Sequence, residues 1–149
     1  MISLKKNNRG FTIVELLIVI VVIGILAALV IVTYNGIQQK ARDTERKTDI
    51  KAMQGHFEAY WANNAKYPTL ANTNDVTFRQ NNFKGIDGSA FADPKNAGSQ
   101  QLCAATTASC YGYAVTPAGC DNGAGGDCTN YTLTATLEGG GTFAVQSNN

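Results

Sequence analysis

The chain has 149 residues, with 12 Lys and Arg against 11 Asp and Glu for a formal net charge of +1. That length suits one domain of ordinary size. The near balance of charge, with no patch of interleaved basic and aromatic residues, argues against direct nucleic-acid binding. The sole histidine, His56, has no second ligand or nucleophile in helical register. The Ser and Asp residues after it form no recognisable catalytic grouping, so no catalytic residue, metal ligand or cofactor is assigned and an enzyme is not expected.

In chain order, a short basic stretch with Lys5, Lys6 and Arg9 comes first. An apolar run follows from Phe11 to about Val32, broken by Thr12 and Glu15. About 20 such residues in a helix cross a ~30 Å hydrocarbon core. No A-x-A-like cleavage site follows the run, so the segment is expected to stay with the mature protein. Charge leaves its orientation open, because Lys40, Arg42, Arg46, Lys47 and Lys51 beyond the run compete with the three cations before it. The cysteines, all late in the chain, place the carboxyl-terminal part in an oxidising compartment.

Glu15 is the anomaly. A carboxylate near the middle of a bilayer costs on the order of 2.5–3.5 kcal/mol on insertion scales, and less near an interface. Two readings stand. Glu15 lies shallow among headgroups, or it has a partner. Cutting the chain between Gly10 and Phe11 would create that partner, a cationic amine one helical turn before Glu15, able to neutralise Glu15 of its own chain or of a neighbour where water is excluded.

The string Lys5-Lys6-Asn7-Asn8-Arg9-Gly10 followed by Phe11-Thr12-Ile13-Val14-Glu15-Leu16-Leu17-Ile18-Val19-Ile20 resembles the class III signal of type IV prepilins and pseudopilins. The resemblance implies cleavage between Gly10 and Phe11 by a prepilin peptidase, N-methylation of Phe11, and a role for Glu15 in subunit assembly. It also implies a homopolymer of identical subunits, extracted from membrane lipid by an assembly ATPase and an inner-membrane platform. The expected product is a type IV pilus on the cell surface, for adhesion, twitching motility or DNA uptake. The alternative within the family is a pseudopilin of a type II secretion or competence system. A single-pass anchor carrying a non-polymerising binding domain would leave Glu15 and Gly10-Phe11 unexplained.

No proline interrupts residues 37–63, and Ile50, Met53, Phe57, Tyr60, Trp61 and Asn64 recur at helical spacing. The opposite side carries Lys40, Arg42, Asp43, Glu45, Arg46, Lys47, Asp49 and Lys51, which reads as a face turned to solvent or to neighbouring subunits. Joined to the apolar run, this predicts a helix of roughly 50 residues, about 75 Å long, as the family resemblance also implies. Many pilins have a proline late in the membrane segment where this chain has Val32. Gly24, Asn35 and Gly36 are the remaining weak points, where any unwinding is expected. The helix should stop near Asn63-Asn64, ahead of Lys66-Tyr67-Pro68.

From Leu70 to Gln101 no periodicity is sustained, which predicts a loop pinned by Val76, Phe78, Phe83, Ile86 and Phe91, with a turn at Asp93-Pro94. Strands are expected over 111–116, 131–137 and 142–145, the last two joined through a glycine turn. Cys103, Cys110, Cys120 and Cys128 lack short zinc-type pairing and read as disulfides. Three connectivities are possible; Cys103 with Cys110 and Cys120 with Cys128 is favoured, since each pair brackets a short polar segment. Residues 121–127 lack the ligand spacing of a calcium loop and read as a disordered, disulfide-closed connection. The expected fold is thus α+β and type IV pilin-like. Its parts are a leader (1–10), a membrane or filament-core helix (11–34), an amphipathic continuation (35–64) and a head with about three antiparallel strands (65–149).

Overall fold

The structure is a computed structural model that describes residues 10–149. The basic leader stretch therefore lies outside the described residues. The elements are α1 (Ile13–Asn64), α2 (Leu70–Asn74), α3 (Val76–Asn82), two 3-10 turns at Gly88–Phe91 and Pro94–Asn96, and strands β1 (Gly112–Thr116), β2 (Asn130–Thr136) and β3 (Thr142–Gln146). The chain divides into two compact units at Gln38 and Gln39.

In the first unit, residues 13–38 are helical without a break, so the unwinding expected at Gly24, Asn35 or Gly36 does not occur. Just past the run, the Thr33 hydroxyl donates to the Leu29 and Val30 carbonyls at 3.1 and 3.0 Å, which meets its polar demand inside the helix.

The second unit is a three-stranded antiparallel sheet, in the order β1-β2-β3, packed on the later part of α1. Leu133 pairs with Tyr113 on one side and Val145 on the other, which sets the register. Strand β2 alternates inward and outward, burying Tyr131, Leu133 and Ala135, as period-two geometry requires. Ile50, Met53 and Phe57 of α1 are wholly buried against it. The Phe57 ring contacts Phe83, Tyr113 and Tyr131 at centroid distances of 5.3, 5.1 and 5.5 Å. Such tilted and edge-on pairs add to the burial itself.

The buried phenols all have acceptors. Tyr67 and Tyr131 donate to the two oxygens of Glu58, each at 2.9 Å; Tyr113 donates to the Pro68 carbonyl at 2.7 Å, and Tyr111 to Asp49 at 2.8 Å. A core that includes four tyrosines thus strands no tyrosine hydroxyl. Helix α1 ends at Asn64, and Ala65 takes a left-handed φ of 54°. The Tyr67 amide then bonds the Cys128 carbonyl at 2.8 Å, tying the helix exit to the far side of the head.

Two expectations need correction. Residues 70–101 are not a plain loop but contain α2, α3 and both 3-10 turns. The elements are too short for apolar periodicity and depend on caps: Thr69 and Asn72 form a reciprocal capping box, while Asp75, Asp87 and Asp93 each accept a backbone N–H at the start of the next turn. Residues 121–127 are likewise ordered. Asp121 accepts from the Gly123 and Gly125 amides at 2.8 Å, and Asn122 bridges the Cys128 amide and the Tyr67 carbonyl.

The core makes two outcomes testable on the detergent-solubilised full chain. Phe57→Ala should cost about 3–5 kcal/mol, the range for truncating a buried aromatic, and lower the thermal midpoint of the head accordingly. Burial pushes the Asp49 carboxyl up to about 6, despite the Tyr111 bond. A carboxyl raised in the folded state loses stability as pH rises from about 4 to about 6. Asp49→Asn, which can still accept from Tyr111, should lack that loss. Between pH 4.5 and 7.5 the difference in midpoint should therefore move in favour of Asn by about 2–4 °C, for an effect held to ~1 kcal/mol by partial exposure. A parallel response in both proteins would show that Asp49 titrates normally.

Candidate assembly site

The helix starts abruptly beside the residues singled out in the sequence. Thr12 precedes Ile13, and its hydroxyl accepts from the Glu15 amide at 3.2 Å. In return Glu15 Oε2 accepts from the Thr12 amide at 2.8 Å and the Thr12 hydroxyl at 2.7 Å. Thr12-Ile13-Val14-Glu15 is therefore a capping box, with Glu15 at its third helical position. Sequence reasoning missed this role, although the pattern of Thr followed three residues later by Glu before an apolar run is its signature. Both reciprocal bonds fall on Oε2, and Oε1 has no hydrogen-bond partner among the described residues.

Gly10 and Phe11 stand just ahead of the cap. A Cβ on Gly10 would meet nothing within 4 Å, and its backbone is not left-handed. Packing among the described residues therefore does not require glycine there. Phe11 is 86% exposed, and from Phe11 to Ile37 every large apolar side chain is exposed. By length and composition α1 can cross a membrane. Such a continuous apolar surface far exceeds what a soluble monomer leaves bare.

In the second unit, the charged face of α1 is not simply solvated. Arg46 is fully buried, its Nε and Nη2 paired with Asp93 at 2.7 and 2.9 Å, and its Nη1 with Asp43 and Glu138 at 2.8 and 2.9 Å. Arg42 makes a second bidentate pair with Glu138 at 2.6 and 2.7 Å, and Lys95 adds a third contact at 3.1 Å. Asp43 also accepts the Glu138 and Gly139 amides. The cluster joins α1, the Pro94 turn and the β2–β3 connection. The Asp93 side chain holds Arg46 well above the usual arginine range, and the Arg42 guanidinium holds the Glu138 carboxyl far below the usual carboxylate range. Arg46 could have been found from the spacing, since it lies four residues before Ile50 on the apolar stripe.

The cysteines form two disulfides, Cys103–Cys110 and Cys120–Cys128, with Cα separations of 6.1 and 5.3 Å. The second closes the β1–β2 connection. Among the described residues no cluster of His, Cys, Asp and Glu could hold a metal ion. His56 is half-buried, its ring 6.3 Å from that of Phe83.

Comparison with known proteins bears on this arrangement. A family described as the prokaryotic N-terminal methylation motif matches residues 5–31, which include Gly10, Phe11 and Glu15. The type IV major pilin protein PilA of Myxococcus xanthus is 34% identical over 88 residues, 59% of this chain and 40% of that protein. The type II secretion system core protein G of Dickeya chrysanthemi is 36% identical over 66 residues, 44% and 43% of the two chains; that of Escherichia coli is 41% identical over 63, 42% and 43%. Over its amino-terminal region the chain is similar to type IV pilins and to type II secretion core proteins. Each match spans less than half of the relative's length. No solved structure matches. The α+β arrangement, a long helix with an apolar first part and a three-stranded sheet, agrees with the fold expected from the sequence.

The Arg46 cluster carries its own test. Arg46→Ala would leave Asp93, Asp43 and Glu138 facing one another without their shared cation, and should destabilise the head by about 3–5 kcal/mol. Adding Asp93→Asn should recover part of that loss, read as a higher thermal midpoint in the double variant than in Arg46→Ala alone. Additive losses would show that the buried charges are not coupled.

Proposed function

We propose that this chain is the structural subunit of a type IV pilus, polymerising through residues 11–34 into a surface filament. The observation that carries the reading is the bare apolar helix surface from Phe11 to Ile37, most of it within the methylation motif matched over residues 5–31. That surface needs a nonaqueous environment twice over: lipid while the subunit waits in the membrane, and the helices of other subunits after extraction. On this reading a prepilin peptidase removes residues 1–10 and Phe11 is N-methylated. The lack of any need for glycine at position 10 among the described residues supports recognition from outside the chain. Residues 35–64 support the head, residues 65–149 form the outer part of the filament, and an assembly ATPase with its membrane platform drives polymerisation. Adhesion, motility and DNA uptake are the functions such a filament serves.

Glu15 has a double role here. Thr12 holds Oε2, which orients the carboxylate, and Oε1 is left for the Phe11 amine of a neighbouring subunit. In the lipid-like interior of a filament such a pair is strong only where both charges are compensated. The similarity to type II secretion core protein G over the amino-terminal region supports a second reading, a pseudopilin forming a short secretion piston. A surface filament is released by shearing intact cells, whereas a piston stays with the envelope.

Mass spectrometry of the amino-terminal peptide from sheared material and from membranes tests the assignment. A sheared fraction beginning at N-methylated Phe11 is the expected result; a protein that stays in membranes and begins at Met1 rejects it. Glu15→Gln keeps a capping side chain but removes the charge, while Glu15→Ala removes both. Both variants should insert, and both should lose most filament yield. Normal yield with Gln would leave Glu15 only its capping role.

A further inference from the structure

Arg79, on α3, is 6% exposed, and unlike Arg42 and Arg46 it makes no ion pair with a carboxylate among the described residues. Its guanidinium carbon lies 4.5 Å from the centre of the Phe91 ring, and Nη1 donates to the Gln100 carbonyl at 2.7 Å. The neighbouring acids are already committed to caps: Asp75 accepts the Phe78 amide and Asp87 the Ser89 amide. Burial without a close countercharge pulls Arg79 below the usual arginine value, offset in part by Asp75.

A guanidinium has five N–H donors. Every sealed side-chain nitrogen or oxygen among the described residues has a partner, so the remaining Arg79 nitrogens must reach open space. Two hollows of about 530 and 360 Å³ adjoin there and share Val76, Arg79 and Gln100. The larger also presents Ile86 and Lys84, and no acidic side chain lines either. The Phe91 ring lies against the guanidinium and the Gln100 carbonyl occupies one of its nitrogens. What is left is a preoriented cationic edge over a partly apolar wall, in a hollow large enough for a small ligand.

We propose that this hollow binds a small carboxylate with an apolar body. The carboxylate takes the free donors of Arg79 with Lys84 at the rim, and the body lies against Val76 and Ile86. The site belongs to the head alone and does not depend on whether the subunit builds a pilus or a pseudopilus.

Benzoate and its neutral counterpart benzamide, titrated into the detergent-solubilised full chain, distinguish charge from shape. The readout is the NMR signal of the Arg79 Nε–H together with the Gly85 and Gly88 amides. Benzoate should move these signals saturably, and benzamide should bind about tenfold or more weakly, the factor expected when a charge-assisted bond is lost. Arg79→Gln should abolish the response. Because that variant removes a buried side chain, Lys84→Gln at an exposed position serves as a second probe, expected to weaken benzoate about threefold in a folded protein. The proposal is overturned if benzoate produces no saturable shift up to tens of millimolar. Equal binding of benzamide, or undiminished binding by folded Arg79→Gln, overturns it too.

Discussion

The head is organised by one stripe of α1, in which Arg46, Ile50, Met53 and Phe57 occupy successive inward positions. Three of them bury apolar side chains against β2 in the ordinary way. The fourth places a guanidinium where a leucine would serve packing alone, and its neutralisation needs acceptors from elsewhere in the chain. Those acceptors are Asp93, Asp43 and Glu138. Satisfying one buried cation therefore fixes two connections, the Pro94 turn and the β2–β3 turn, that have little apolar surface to hold them. Arg42, Arg46 and Lys95 face Asp43, Asp93 and Glu138, three cations against three carboxylates. That balance lets a charged cluster be buried without net charge.

Residues 11–38 face the opposite problem. Their apolar side chains have no inward side to occupy, and the helix is stable only because its backbone groups bond internally. The surface is interchangeable between lipid and other apolar helices, since both offer dispersion contacts without polar demands. A carboxylate at Glu15 breaks that equivalence. On the proposed reading it relies on Thr12 in lipid and gains the Phe11 amine of a neighbour among helices. A single polar residue can thus favour one apolar environment over the other, which a wholly apolar helix cannot do.

Much of this was legible in the sequence because it rests on periodicity and on long runs. The apolar segment, the Ile50-Met53-Phe57 stripe, the helix end before Tyr67-Pro68 and the alternating β2 strand each repeat one signal several times. What escaped was written once. Arg46 has a polar name in an apolar position, so a charged face and a buried network look alike until Asp93 and Glu138 arrive from 47 and 92 residues away. The helices between residues 70 and 82 are shorter than the window that reveals a period. Their only markers are the caps Thr69 and Asp75, which in isolation also suit turns. Asp121 sits in a stretch that reads as a disordered connection, because the two glycine amides its oxygen binds carry no side-chain signal.

The same accounting separates structural charge from charge that is left over. Glu58 is held by two tyrosine hydroxyls, Asp49 by one, and the Arg42–Arg46 cluster is balanced within itself. Asp75, Asp87 and Asp93 are spent on caps, the last also on Arg46. Against that background Arg79 stands apart among the described residues, since its buried charge rests on a ring and a carbonyl rather than on an anion. A fold that compensates its other buried charges so closely has no packing reason to leave this one open, because a leucine or methionine would fill the site at lower desolvation cost. The open guanidinium is therefore better explained by something that enters the hollow than by anything the head needs in order to fold.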